Sequence, residues 1–158
     1  MLVLCNNKTM KNSKIATQYF KQGYNCAQSV FITYCEKFGI QKEVGLKLSS
    51  SFGGGMGRLR EVCGAVSSMF AILGLEKGYT DFNDDKIKEK HYALIQKAAN
   101  KFKEKHKTII CRELLGLENE NISPIPTKRT EEYYLSRPCE NFIETACEII
   151  DEFLTHSK

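Results

Sequence analysis

Cysteine is the side chain in this sequence with the most chemistry open to it. Seven occur, Cys5, Cys26, Cys35, Cys63, Cys111, Cys139 and Cys147. A thiolate attacks disulfides and binds soft metals, whereas a buried thiol behaves as a small hydrophobe. An odd number of cysteines cannot pair off completely within one chain, and a chain of this length buries enough surface to fold without disulfide staples. No Cys-x-x-Cys occurs, which excludes a thioredoxin-like dithiol within one helical turn. The short paired spacings of zinc fingers and ribbons are absent as well. Any chemistry must therefore be assembled from cysteines far apart in sequence.

The other candidate groups are fewer. His91, His106 and His156 are scattered in lysine-rich or terminal surroundings and read as surface residues rather than ligands. The run Phe52-Gly-Gly-Gly-Met-Gly-Arg58 fails as a dinucleotide fingerprint, because Arg58 stands where the third glycine belongs and no strand precedes it. It fails as a phosphate loop too, lacking the Lys-Ser/Thr that follows one. Two readings of the run stand: a flexible connector, or a backbone cradle in which Gly53, Gly54, Gly55 and Gly57, with Arg58, hold a cluster sulfur, a thiolate or an anion. Arg58 and Arg60 also bring positive charge close to Cys63 in sequence, which favours its thiolate.

The elements that must position these groups read almost entirely as helix. Ile15, Ala16, Tyr19 and Phe20 mark one face of a helix over 13–22, closed by Gly23. Asn25 with Gln28 is a capping-box pattern, opening a helix that ends at Gly39. Further helices are expected over 41–50, 60–75, from Asn83 or Asp84 to His106, over 111–115 and from Pro138 to Leu154. In the long one, Ile87, Tyr92, Leu94, Ile95, Ala98, Ala99 and Phe102 are assigned to the apolar side. Pro124 and Pro126 mark a loop, and no stretch alternates as a strand. The expected fold is all-α: a single-domain helical bundle over 13–158, with a tail over 1–12 and a glycine-rich loop between helices.

This map sorts the cysteines. Cys26, Cys63, Cys111 and Cys139 each fall in the first turn of an expected helix, where unpaired N–H groups and the macrodipole favour negative charge. Such settings lower a thiol's pKa. Cys35 and Cys147 fall inside apolar stripes and read as core; Cys5 lies in the tail.

Bulk properties limit the functional classes. The net charge of +4 is mild, and the lysines between Lys86 and Lys107 alternate with acids, the pattern of a solvated helix face rather than a nucleic-acid stripe. The apolar stretch at Met1–Cys5 is too short for a signal peptide, and 66–75 is too short and too polar to span a bilayer. A cytoplasmic protein with no nucleic-acid and no membrane partner is expected. In a reducing compartment, cysteines are more often catalytic, metal-binding or buried than bridged.

Gly23-Tyr-Asn-Cys26-Ala-Gln28, Phe52-Gly-Gly-Gly-Met-Gly57, Glu61-Val-Cys63-Gly-Ala65, Cys111-Arg-Glu-Leu-Leu-Gly116 and Cys139 occur in this order. Together they resemble the bacterial C_GCAxxG_C_C family of redox-active proteins over roughly 13–154. The resemblance maps that family's four cysteines onto Cys26, Cys63, Cys111 and Cys139, the same four that helix position selects. In one place the chain departs from the pattern, because Ser68 stands where the motif has its last glycine. The resemblance implies redox chemistry without fixing a reaction. Three functions follow in order of preference. The four thiolates form one site for an iron–sulfur cluster or another transition metal and transfer electrons to a redox partner protein. Alternatively, the same cysteines perform thiol–disulfide exchange, with Cys63 as nucleophile and Cys26 resolving, and no cofactor. The third reading is a non-redox helical binding module.

Overall fold

The computed structural model describes residues 10–117 and 121–155; Cys5 and His156 lie outside them. The fold is all-α. Its first helix, α1 (Asn12–Lys21), buries Ala16 and Phe20 and is followed by Gly23 at φ 109°. The second, α2 (Cys26–Tyr34), runs into a 3-10 turn (Cys35–Phe38) that Gly39 closes in the left-handed conformation. Helix α3 (Lys42–Ser50) leads into α4 (Gly53–Met56), a single turn in which Gly54 and Gly55 have φ of 66° and 72°. These angles suit glycine and break regular helix, so the expected irregular connector takes the form of one distorted turn.

The helix expected from Arg60 begins later. Arg60 itself has φ 63°, and Val62 pairs with Ile110 in an isolated antiparallel bridge, so α5 runs Gly64–Lys77. The long surface helix α6 (Asp85–His106) starts where the Asp84 carboxylate accepts the N–H groups of Lys86 and Ile87. It packs inward from Leu94 onward. Ala98 and Phe102 are buried, whereas Ile87 and Tyr92, which periodicity assigns to the apolar side, are exposed. A short α7 (Cys111–Leu114) follows. Beyond the proline loop comes α8 (Glu131–Ser136), outside the expected helices; Thr130 caps it by accepting from Tyr133 N–H and two glutamates occupy its first turn. The last helix, α9 (Cys139–Thr155), begins immediately after Pro138.

Helix α2 is the centre of the bundle, packed against α1, α3, α5 and α9. Val30, Phe31, Val66, Met69, Ile72, Leu73, Ile143 and Ile150 fill the space between these helices and are almost wholly excluded from solvent. Burying such side chains contributes about 1.5–3 kcal/mol each. Cys35 and Cys147 belong to this core, as their apolar stripes imply. Among the described residues no helix is long and apolar enough to cross a membrane.

Candidate functional site

Each of the four selected cysteines sits where a helix begins. Asn25 and Gln28 form the expected capping box: Gln28 N–H donates to Asn25 Oδ1 at 2.9 Å and Asn25 N–H donates to Gln28 Oε1 at 3.1 Å. Gln28 also donates to the Leu46 carbonyl and Asn25 to that of Ser50, which ties the start of α2 to α3. Cys26 is thereby fixed as the first residue of α2.

Cys63 is the residue before α5 rather than a member of its first turn, and Cys111 opens α7. The Val62–Ile110 bridge holds the two together. Cys63 N–H donates to Ile109 O at 2.8 Å and Cys111 N–H donates to Glu61 O at 2.6 Å. In this antiparallel register Cys63 and Cys111 are diagonal neighbours on one face, the relationship in which side chains about 7–8 Å apart at the backbone still interact. Cys139 opens α9, with Asn141 N–H bonding back to Pro138 O.

All four thiols line a single cavity of about 50 Å³. Phe20, Leu114, Leu115, Tyr133 and Phe142 give it apolar walls, and Arg60, Arg129 and Arg137 supply its charge. Two glycines make the convergence possible. A methyl group on Gly64 would lie 2.7 Å from Cys26 Sγ, and one on Gly55 would lie 2.6 Å from Cys111 Cβ. Any other residue at either position would push a thiol-bearing segment away. Ser68 resolves the departure from the family motif: it is fully buried, and its hydroxyl donates to Ala27 O at 2.7 Å, joining α5 to α2 one residue beyond Cys26.

The glycine run acts as scaffold. The N–H groups of Met56, Gly57 and Arg58 bond to carbonyls of Phe52 and Gly53 within the same turn and hold its shape. Gly54 lines the thiol cavity; Gly53, Gly54, Gly57 and Arg58 line a second, adjoining cavity, and Gly55 backs Cys111.

The electrostatics correct one expectation. A helix start is expected to lower a thiol's pKa, but burial outweighs this at Cys63, Cys111 and Cys139. Burial pushes Cys63 well up, the proximity of Cys26 adds to this, and the N–H groups of Val66 and Ala65 oppose it only in part. Burial also raises Cys111, again reinforced by Cys26, while Arg60 and Arg137 pull the other way. Cys139 is pushed up to about 12 by burial and then by Cys26 and Cys111, against Arg137 and Arg129. Desolvation disfavours the charged form whatever the helix dipole offers. The arginines near Cys63 in sequence also act elsewhere. Arg58 donates to Ser123 O and Thr127 Oγ1 across the proline loop, and Arg60, only 5% exposed, acts on Cys111. Cys26 is the electrostatic neighbour common to Cys63, Cys111 and Cys139, and like Cys139 it is half-buried where Cys63 and Cys111 are buried.

Among the described residues, no three His, Cys, Asp or Glu side chains are arranged to hold a metal ion. His106 meets Thr145 Oγ1 at 2.8 Å and packs on Phe102 and Phe142, while His91 bonds the Lys77 carbonyl. The site residues that sequence reasoning missed are Arg129, Tyr133 and Arg137, brought in by α8 and its flanks. The Arg129 guanidinium stacks over Phe20 at 4.5 Å and Tyr133 at 4.7 Å, and Arg137 over Tyr133 at 5.0 Å. The Thr130 cap was the signal for this helix; nothing in the spacing signals that its arginines turn inward.

A family model described as "Putative redox-active protein (C_GCAxxG_C_C)" matches residues 24–153, which contain all four site cysteines. Neither the curated proteins nor the solved structures contain a match.

Proposed function

We propose that this chain, which belongs to the C_GCAxxG_C_C family of redox-active proteins, performs thiol–disulfide exchange, with Cys26 attacking and Cys63 resolving. The observation that carries this reading is the single small cavity lined by four thiols from four helix starts, in which Cys26 is the electrostatic neighbour of the other three. The pair is the one expected from sequence with its roles exchanged. Cys63 is buried and its thiol is pushed well up, so it suits the second, intramolecular step; Cys26 is the more exposed residue of the two and sits at a capped helix start.

In the reaction, the Cys26 thiolate attacks one sulfur of an incoming disulfide. A mixed disulfide forms and one thiolate leaves. Cys63 then gives up its proton and attacks Cys26 Sγ, and the second substrate thiolate departs with a proton. The substrate disulfide gains two electrons and two protons, and the two protein thiols become one disulfide. Incubating the reduced protein with a small disulfide and counting thiols tests this. The loss of two thiols per chain, abolished by Cys26→Ser, is expected; a full thiol count after equilibration would overturn the reading.

A second reading keeps the four cysteines as ligands of an iron–sulfur cluster or another soft metal. It is favoured by the common cavity and by Arg60, Arg129 and Arg137, whose charge would balance an anionic cluster. Cys26, Cys63, Cys111 and Cys139 would hold it, after side-chain movement that draws three or more sulfurs to one point. Anaerobic reconstitution with iron and sulfide tests this reading. Stoichiometric iron with a visible chromophore lost in Cys111→Ser supports it, and a colourless, metal-free, fully thiol-titrating product counts against it.

A further inference from the structure

Beside the thiol cavity lies a larger one of about 300 Å³, at the lower end of the range for small-molecule sites. Four arginines line it, Arg58, Arg60, Arg129 and Arg137, and no described carboxylate does. The two cavities share a wall made of Asn25, Gly54, Arg60, Arg129, Tyr133 and Arg137. Guanidinium groups brought together repel one another, so such an arrangement is stabilised when an anion enters it. Planar guanidinium forks also match carboxylate and phosphate oxygens in pairs. A donor on this shared wall is unused among the described residues: Arg129 Nη1 is buried and has no hydrogen-bond partner there, while its Nη2 donates to Tyr24 O at 3.3 Å. An unmade hydrogen bond on a buried charged group costs more than one on a neutral group. An incoming oxyanion would satisfy it.

We infer that the arginine-lined cavity docks the anionic end of a small molecule, a carboxylate or phosphate, and directs that molecule's disulfide into the adjoining thiol cavity. The inference rests on the exchange reading for the second half of this statement, but the anion site stands on its own geometry. Recognition falls to Arg129 and Arg137. Stacking on Phe20 and Tyr133 limits the motion of Arg129 and stacking on Tyr133 that of Arg137, while Arg129 Nη1 is left for the ligand. Arg60, shared by both cavities and acting on Cys111, links anion binding to the thiols.

The test compares the rates at which the reduced protein reacts with a dianionic disulfide, dithiobis(nitrobenzoate), and with a neutral one, dithiodipyridine. The ratio of the two rates is expected to exceed that of the urea-unfolded chain by about tenfold and to collapse at high salt. Arg137→Gln should lower the ratio, as should Arg129→Gln if it folds, whereas the charge-matched surface change Lys90→Gln should leave it. Equal ratios in folded and unfolded protein, or no effect of Arg137→Gln, would overturn the proposal. Calorimetry with inorganic pyrophosphate on the Cys26→Ser protein separates the two readings. Binding there, weakened by Arg137→Gln, supports the anion site even if exchange fails. Absence of binding overturns the anion site even if the neutral disulfide still reacts through Cys26.

Discussion

The sulfur of Cys26 lies against the bare α-carbon of Gly64, so close that a single added methyl group would come within 2.7 Å of it. Gly64 directly follows Cys63, and the contact therefore brings the starts of α2 and α5 to the closeness that the proposed Cys26–Cys63 pair requires. Gly64→Ala is expected to destabilise the fold by about 1–3 kcal/mol through overpacking. The same change should slow the loss of the paired thiols to an added disulfide. Urea denaturation and thiol counting check the two effects. An unchanged midpoint and rate would show that the helices tolerate separation.

Ser68, one turn along the same face of α5, closes the same contact. Ser68→Ala removes the hydroxyl that donates to Ala27 O and is expected to cost about 0.5–1.5 kcal/mol, because the carbonyl remains within a helix. Ser68→Val should cost more, since a branched side chain has no room at a fully buried crossing. Denaturation midpoints for the two variants, in that order of loss, check this.

Arg60 opposes the burial that raises Cys111. Replacing it with glutamine removes that opposition, so the Cys111 thiol rises further and its thiolate fraction at a fixed pH falls, about tenfold for each unit of rise. Alkylation of Cys111 between pH 8 and 10, followed by mass spectrometry, is expected to slow in Arg60→Gln while Cys147, in the opposite part of the core, is unaffected. An equal or faster Cys111 rate would contradict the assignment of Arg60 to this thiol.

Stability should fall at high pH. Cys139 and Cys147 are each pushed up to about 12 by burial, from a value near 9 when unburied, and Cys35, Cys63 and Cys111 move in the same direction. Below about pH 9 folded and unfolded chains are both protonated and no stability is lost. Above it the unfolded chain releases protons first, so folding weakens progressively between about pH 9 and 12. At the acid end, burial lowers His106 below 6.5; its stabilising effect is present above that value and is lost as pH falls through it. Thermal unfolding of the reduced protein across this range is the measurement. A midpoint flat from pH 8 to 11 would contradict the buried-thiol account.

The sequence carried most of the helices and the separation of helix-start cysteines from core cysteines because both rest on local signals. Asn25 and Gln28 announce the start of α2, and apolar stripes place Cys35 and Cys147 in the core. It did not carry the start of α5, because the positive φ of Arg60 and the Val62–Ile110 bridge are made with a segment nearly fifty residues away. Nor did it carry the targets of the arginines. Arg58 and Arg60 are close to Cys63 in sequence, and the structure shows that one also reaches the proline loop and the other Cys111. Arg129 and Arg137 reach the thiols only through α8 and the packing of Tyr133. The raised thiols were equally out of reach, since burial is a property of the assembled cavity while the helix dipole is a property of each helix alone.

The central claim is that Cys26 and Cys63 form the working pair among six described thiols. The most direct measurement is disulfide mapping by mass spectrometry after the reduced protein is equilibrated with a stoichiometric small disulfide and quenched with acid. A dominant Cys26–Cys63 bridge, with Cys35 and Cys147 recovered as free thiols, is the result expected. Cys26 and Cys63 recovered free, or a bridge joining either to a core cysteine, would contradict it.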